Sequence, residues 1–515
     1  MRVIGDIARL GAKRQPEKTA LVMGEERLAY RELNERVNRL ANGLIARGIG
    51  PGDRVGILAE NSIDFVAVVL AVAKTGAALV PMNFRYSGDE IAYVVGNCAP
   101  RVIFTGGGYT AKMLDATAGP GARPDVIPMT AECEGRERTT PMSALMSGQR
   151  SEEPARVVSP EAPAMVMYTS GTTGFPKGVL FSHAAYLANH QVIALEGDLE
   201  RDDVALVPLP LFHNGGLNVV VLPSLMLGAT VVLLGKGFTP VAMLRAIERH
   251  RATLAMWVPT MISMLVNSEE AAACDCGSLG KIWYGSSPIS PPVLAAARER
   301  FKARFYQYYG MTEIGMTSIL RPEDHLHRAH CTGREMFSAD MRVVDDEGRD
   351  VAPGGIGEII SASRPLGMIG YYGNEAATRE AVCDGWIRTG DLARVEDEGY
   401  FTIVDRKKDM IISGAENIYP KEIENALAEH PAVLDAAAFG IPDPVYGEAV
   451  CAAVVLRPGH HADAGTLIAF CGERIARYKK PRQIEFLPEL PRNAGGKVLK
   501  HMLRAPHWDG QTRKV

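Results

Sequence analysis

The chain has 515 residues, 47% of them apolar and 23% charged, with a formal charge of −4 at neutral pH. That length supplies core for two or more domains, and the composition is that of a globular protein. A charge near zero without a long basic run argues against nucleic acid as the main partner, and no apolar run is both long and uninterrupted enough to cross a bilayer.

The first residues, Met1-Arg2-Val3-Ile4-Gly5-Asp6, lack the charged-then-apolar pattern of a secretory signal, and Thr512-Arg513-Lys514-Val515 is not a peroxisomal address. The expectation is a cytoplasmic protein. Leu33, Val37, Leu40, Leu44 and Ile45 recur at a helical period over residues 30–47, and the glycine-rich stretch 48–52 ends that helix before the strand-like 55–58. The same rhythm returns at 65–74 followed by 78–81, and at 241–250 followed by 254–258. Such alternation predicts parallel sheets covered by helices. Residues 131–160, rich in Glu, Arg, Ser and Pro, read as a surface excursion with little core.

From 356 to 405 short strands with Asp384-Gly385 and Asp397-Glu398-Gly399 turns predict a small β-rich subdomain. Helix-like 419–430 and 464–475 then alternate with strand-like 433–439 and 481–487, enough for a separate α+β module. The fold class is therefore α/β. A large N-terminal domain of parallel-type sheets with helices, plus the β-rich subdomain, precedes a mobile α+β C-terminal domain. Eight cysteines without a Cys-x-x-Cys pair read as reduced thiols. His325, His327, His330 and Cys331 lack the second half-site of a tetrahedral zinc centre.

The most informative stretch follows the apolar run 162–167. It contains Thr169, Ser170, Gly171, Thr172, Thr173 and Gly174, then Phe175-Pro176-Lys177-Gly178. Glycines let backbone N–H groups approach an anion, hydroxyls donate further hydrogen bonds, and Lys177 adds a compact charge. Gly174 is followed by Phe-Pro, so the spacing is not that of a P-loop. By composition alone a flexible Gly/Thr turn fits equally well.

The order of residues resembles the phosphate-binding signature of the adenylate-forming enzymes, which include acyl-CoA synthetases, aminoacyl-adenylating domains and luciferases. Four further stretches resemble that superfamily's motifs in its order: Tyr308-Tyr309-Gly310-Met311-Thr312-Glu313, Trp386-Ile387-Arg388-Thr389-Gly390-Asp391, Asp405-Arg406-Lys407-Lys408-Asp409, and Pro491-Arg492-Asn493-Ala494-Gly495-Gly496-Lys497. The resemblance spans essentially the whole chain. It implies an N-terminal domain of residues 1–407 that binds ATP and the acyl group, and a mobile C-terminal domain of residues 408–515 that turns about Lys408.

The resemblance also implies roles. Residues 169–177 hold the β- and γ-phosphates, Thr312 donates to the α-phosphate, and Glu313 ligates Mg²⁺, a hard cation suited to carboxylate and phosphate oxygens. Asp391 accepts the ribose hydroxyls, Arg406 donates to the same region, and Tyr309 offers a face to adenine. Gly285 and Ser286 open the small-residue loop between adenine and acyl group, and His213 gates the acyl carbonyl. Lys497 bridges the incoming carboxylate and the α-phosphate during adenylation, which needs concentrated positive charge because both reactants are anionic. After rotation of the small domain, Ser413, Gly414 and Ala415 line the tunnel by which CoA reaches the acyl-AMP. Two residues depart from the family's pattern: Ala415 stands where glycine is usual, and Gly495 where Thr or Ser is usual.

The acyl pocket is expected from segments 214–217, 257–261, 284–285 and 311–316, which are largely apolar and rich in methionine. They contain no Arg or Lys for a second carboxylate and no Asp for an α-amino group. The leading expectation is a medium- or long-chain fatty acid:CoA ligase using ATP, CoA and Mg²⁺. An aryl- or alicyclic-acid ligase and an adenylating enzyme with a carrier-protein acceptor are alternatives, and an inactive binding homologue comes last. The expected partners are the small-molecule carboxylic acid, ATP and CoA, together with a second copy in a homodimer and a lysine acetyltransferase acting on Lys497, but neither nucleic acid nor an integral membrane segment. Lys497→Ala is expected to lose acid-dependent pyrophosphate release while still converting supplied acyl-AMP to thioester. Separate assays of the two half-reactions check this, and normal adenylation by the variant refutes the role given to Lys497.

Overall fold

The computed structural model describes residues 1–119, 121, 123–130, 138–169, 176–235, 239–268, 274–287, 289–413, 416–492 and 498–509. Among these, three sheets organise the chain. In the first, Ala78–Met82, Arg54–Leu58, Val102–Thr105 and Asp125–Pro128 run parallel, as the βα rhythm predicts. Pro163–Thr169 joins this sheet in parallel beside Ala78–Met82, and Lys177–Ser182 returns antiparallel to it.

The second sheet changes character halfway. Thr19–Met23, Thr230–Leu233, Val204–Val207, Leu254–Trp257, Lys281–Gly285 and Arg304–Met311 are parallel neighbours. From Arg304–Met311 onward, Gly315–Leu320, Gly333–Glu335, Tyr400–Arg406, Trp386–Val395, Ile356–Ala362 and Met341–Val344 follow in antiparallel pairs. The expected β-rich subdomain is thus continuous with the large sheet, joined where Arg334 pairs with Tyr400. The Asp384-Gly385 turn has both residues at positive φ, 49° and 83°, which suits a tight hairpin.

Helix Ile63–Thr75 lies buried from end to end. An apolar helix of 13 residues is too short to span a bilayer and instead fills the main core, as expected for a helix without a polar face. Among the described residues no helix is long and apolar enough to cross a membrane. Ser62 Oγ accepts from Phe65 N–H at its start, and Gly76, at φ 81°, ends it. The reading of 131–160 as a surface excursion is corrected in part, because helix Met142–Met146 buries Met142 and Leu145 in that core. Gly43 makes room for it, since a Cβ there would stand 2.5 Å from Leu145 O. Residues 131–137 lie outside the described ones.

The third sheet collects Glu416–Ile418, Ile411–Ser413, Gly447–Leu456, Val433–Asp443 and Gln483–Phe486. Helices Pro420–Ala428 and Ala464–Gly472 supply Ile423, Leu427, Leu467 and Cys471 to a core with this sheet. Charged groups gather where the chain passes from the second sheet to the third. Asp405 Oδ2 accepts from Lys421 N–H at 2.9 Å, Lys500 Nζ meets Glu424 at 2.7 Å, and Arg504 meets Asp409 at 3.0 Å.

Under the parallel half of the second sheet, Lys281 Nζ is buried against Asp203 at 2.7 Å and donates to Asp198 O. Asp203 also accepts from Thr253 Oγ1 and Glu200 N–H. Asp203→Ala leaves the buried ammonium with only Asp198 O and, at 3.5 Å, Glu200 as partners, and the expected cost is about 3 kcal/mol, the low end for a broken buried pair. An earlier urea transition measures it, and a wild-type midpoint refutes it.

Candidate active site at the parallel-to-antiparallel switch

Thr312 and Glu313 occupy the turn between Arg304–Met311 and Gly315–Leu320, where the large sheet changes from parallel to antiparallel. Two glycines make this corner tight. A Cβ on Gly310 would stand 2.0 Å from Gly315 O, and one on Gly285 would stand 2.4 Å from Tyr308 O, so neither position admits a side chain without backbone movement. Ser286 follows at φ 71° and is exposed. The corner is tied down by Asn189, on helix His183–Glu196, whose Oδ1 accepts from Met316 N–H at 2.9 Å and whose Nδ2 donates to Leu366 O at 2.7 Å.

Glu313 is buried, and burial pushes its carboxyl upward, with the Asp391 charge adding to the rise and Arg406 and a hydrogen bond from Tyr371 opposing it. Tyr371 Oη donates to Glu313 Oε1 at 3.1 Å. The same ring lies 5.0 Å from Lys177 Nζ, a cation–π distance. Lys177 opens the strand Lys177–Ser182, and its partner in the antiparallel register is Thr169, whose Oγ1 reaches Lys177 O at 3.5 Å. The two ends of the predicted phosphate loop thus stand beside the Glu313 turn. Ser170, Gly171, Thr172, Thr173 and Gly174 lie outside the described residues.

Asp391 is buried on Trp386–Val395, directly opposite Arg406 on Tyr400–Arg406. Arg406 Nε meets Asp391 Oδ1 at 3.0 Å, and Tyr309 Oη donates to Oδ2 at 2.9 Å. Tyr309 itself is buried, with its ring edge-on to Phe401, so the hydroxyl is directed at Asp391. Burial, then the Asp391 charge, holds that phenol well above its usual range. Glu358 shapes the Trp386–Asp391 motif by accepting from Arg388 and from Gly390 N–H.

His213 Nδ1 accepts from Gly215 N–H at 3.2 Å, which leaves Nε2 as the protonated nitrogen, and burial lowers its pKa. A neutral imidazole stands at the mouth of the buried π-helix Gly215–Val221. Lys408, just beyond Arg406, has its pKa lowered by burial and then by the Arg406 charge. Ser413 ends its strand opposite Gly447. Gly414, Ala415 and Lys497 lie outside the described residues.

The structure thus joins Thr169, Lys177, Tyr371 and Glu313 in one group and Tyr309, Asp391 and Arg406 in another, with the Glu313–Arg406 and Glu313–Asp391 fields linking the two. Tyr371 and Asn189 are the additions that sequence reasoning missed. Tyr371 sits in Gly370-Tyr371-Tyr372-Gly373, whose only local signal is a turn; its contacts are with residues 58 and 194 positions away. His325, part of the His/Cys cluster, is a satisfied core histidine, bonded to Tyr284 Oη at 2.9 Å and Arg321 O at 2.6 Å.

These groups suit a nucleotide with Mg²⁺. Glu313 is a buried carboxylate whose side-chain donor among the described residues is the neutral Tyr371 hydroxyl, and a hard divalent cation would offset its desolvation. The family model for AMP-binding enzymes matches residues 9–372, and that for the AMP-binding enzyme C-terminal domain matches 422–497. Feruloyl-CoA synthase of an Amycolatopsis species is 37% identical over 96% of both chains. Indoleacetate–CoA ligase of Aromatoleum aromaticum is 38% identical over 95% of both, and long-chain-fatty-acid–CoA ligase FadD13 of Mycobacterium tuberculosis is 33% identical over 98% of both. Among solved structures, an anthranilate CoA ligase with anthranoyl-AMP superposes with a TM-score of 0.91 at 25% identity, covering 98% of this chain and 97% of that one. The chain belongs to the AMP-binding enzyme family, as an adenylate-forming acyl-CoA synthetase that uses ATP and CoA, with Mg²⁺ typical of its family.

Hydrogen bonds to charged groups contribute about 1.5–3 kcal/mol, so losing the Tyr371 hydroxyl is expected to slow adenylation roughly 10- to 100-fold. Tyr371→Phe keeps the ring beside Lys177 and should lower stability by about 1.5–3 kcal/mol at most, so the variant stays folded under assay conditions. Pyrophosphate release together with a thermal melt checks this, and an unchanged rate refutes the role of that hydroxyl.

Proposed function

We propose that the enzyme activates an aromatic or arylalkyl carboxylic acid as its acyl-AMP and transfers the acyl group to CoA. The observation that supports the chemistry is the Lys177–Tyr371–Glu313 contact, which sets the Lys177 charge near a buried carboxylate. The Thr169–Lys177 loop holds the β- and γ-phosphates, Thr312 donates to the α-phosphate, and Asp391 with Arg406 receives the ribose. Glu313 holds Mg²⁺, which when bound neutralises phosphate charge. Lys497 brings positive charge to the two reacting anions, and His213, neutral and fixed by Gly215 N–H, borders the acyl carbonyl without acting as a base.

Residues 1–407 and 408–515 form the two domains, with Lys408 at the hinge. After adenylation the smaller domain turns, withdraws Lys497, and brings Ser413, Gly414 and Ala415 to the CoA tunnel. A methyl at Ala415 narrows the backbone approach there and makes thioester formation the step most sensitive to fit.

The aromatic reading rests on the relatives named for ferulate, indoleacetate and anthranilate. A fatty acid is the second reading, favoured by FadD13 and by the methionines of segments 257–261 and 311–316. CoA and a carrier protein present the same pantetheine arm, so the acceptor follows from assay. AMP and pyrophosphate release across straight-chain, alicyclic and aromatic acids, with and without CoA, tests the proposal. The expected result is CoA-dependent AMP release that is strongest with an aromatic acid. Fastest turnover of a straight-chain acid moves the second reading to the front, and pyrophosphate without thioester points to a carrier protein.

A further inference from the structure

One face of the third sheet is roofed by the last helical turns of the chain. Side chains alternate across a strand, so Cys451 and Ala453 share a face with Phe439 on one neighbouring strand and, through the parallel register, with Gln483 and Glu485 on the other. Leu503, on helix Lys500–Arg504, closes over that face in one apolar cluster with Phe439, Cys451 and Ala453. The 3₁₀ turn Ala505–His507 follows. Trp508 Nε1 donates to Gly440 O at 3.0 Å, and the His507 ring lies 5.8 Å from that of Phe439, which sets the imidazole beside Glu485.

Three metal-ligating groups from three elements meet there. Cys451 Sγ, a Glu485 carboxylate oxygen and a His507 ring nitrogen all lie within 4.8 Å of one another, and His507 Nε2 stands 3.0 Å from Glu485 Oε1. The ligand atoms of a tetrahedral zinc ion sit about 2.0–2.3 Å from the metal and so roughly 3.3–3.7 Å from each other. Side-chain rotation of Glu485 and His507 covers the difference. Gln483 Nε2 donates to the same Glu485 oxygen at 2.9 Å and orients the carboxylate. The Cys451 side chain is fully buried, whereas Glu485 and His507 keep 30% and 22% of their side-chain surface exposed, which gives an ion a way in and an outward fourth position for water.

The donor set selects the ion. Magnesium prefers oxygen ligands, so thiolate with imidazole and carboxylate separates this place from the Glu313 corner and suits zinc. Burial, then the Glu485 charge, disfavours a thiolate at Cys451. A divalent cation bound to sulfur offsets both effects: the Sγ–H bond breaks, its proton leaves to solvent, and neutral imidazole gives its Nε2 lone pair to the metal. A second grouping, His330, Cys331 and Glu396, also draws donor atoms together, but the Arg328 charge acts on Cys331 and opposes a dication there.

We propose that Cys451, Glu485 and His507 form a binding site for a zinc-type divalent cation, which fastens the segment 500–508 to the Gln483–Phe486 strand. The site is independent of which acid the enzyme activates.

The test loads reduced, chelator-treated full-length protein with Zn²⁺ or Co²⁺ in excess Mg²⁺ and without nucleotide, then removes unbound metal by gel filtration. Metal content, thiolate-to-cobalt absorption and thermal melting are measured. Wild type should retain about one equivalent of zinc, show the thiolate-to-cobalt band and melt at a higher temperature with zinc than without. Cys451→Ser should abolish the band and weaken zinc binding by at least about tenfold. His507→Ala, at a partly exposed position, should weaken it as much and serves as the second variant if the serine form folds poorly. Cys331→Ser should retain zinc and band alike. A wild type that keeps no zinc, zinc held without the thiolate band, an affinity that survives both Cys451→Ser and His507→Ala, or a band lost in Cys331→Ser overturns the inference and leaves the ligase reading standing.

Discussion

Two carboxylates buried within reach of each other's field, Glu313 and Asp391, set the terms for the rest of this site. Burial opposes the charge of a carboxylate. The surrounding structure answers with directed donors. Tyr371 serves Glu313, while Tyr309 and Arg406 serve the two oxygens of Asp391. Arg406 acts on both, since its charge also lowers the Glu313 pKa. Two aromatic hydroxyls and one guanidinium thus keep a pair of anions in a place from which water has largely been removed.

That arrangement requires the sheet to change direction where it does. A parallel strand delivers Tyr308 and Tyr309 beside Gly285, and the chain must reverse at once to bring Glu313 under Tyr371 and Lys177. The missing side chains of Gly310 and Gly285 permit the reversal, and Asn189 fixes its depth. The antiparallel strands that follow carry Asp391 and Arg406 back to Tyr309. The β-rich part is continuous with the main sheet, and its inner strands supply Asp391 and Arg406 to the corner.

Just beyond Arg406 the chain passes to the smaller domain, and the contacts change kind. Asp405, pushed upward in pKa by burial, accepts from Lys421 N–H near the start of a helix, and Lys500 is held charged by Glu424 against the penalty of burial. Buried ion pairs return little net stability because desolvation offsets their attraction. Of these contacts the Asp405–Lys421 hydrogen bond joins the large sheet to the smaller domain, while the Lys500–Glu424 pair lies within that domain. The apolar core of that domain is its own, formed by Ile423, Leu427, Leu467 and Cys471 with the third sheet.

Local pattern alone determined much about this protein. Periodicity located the helices observed at Tyr30–Ala46, Ile63–Thr75 and Pro240–His250, because a helix buries residues three and four apart. Motif order identified the family, because the strings that carry Lys177, Glu313, Asp391 and Arg406 are short and their spacing is set by one loop or one strand. Composition misjudged 131–160, where Met142 and Leu145 reach the core through the gap at Gly43. Tertiary structure alone decided which distant groups meet. Tyr371 reaches Glu313 across 58 positions, and Asn189 reaches Met316 across 127. The bulge at Thr317 belongs to the same class. A bulge is a mismatch in register between two strands, so it is not a property of any stretch of sequence read alone.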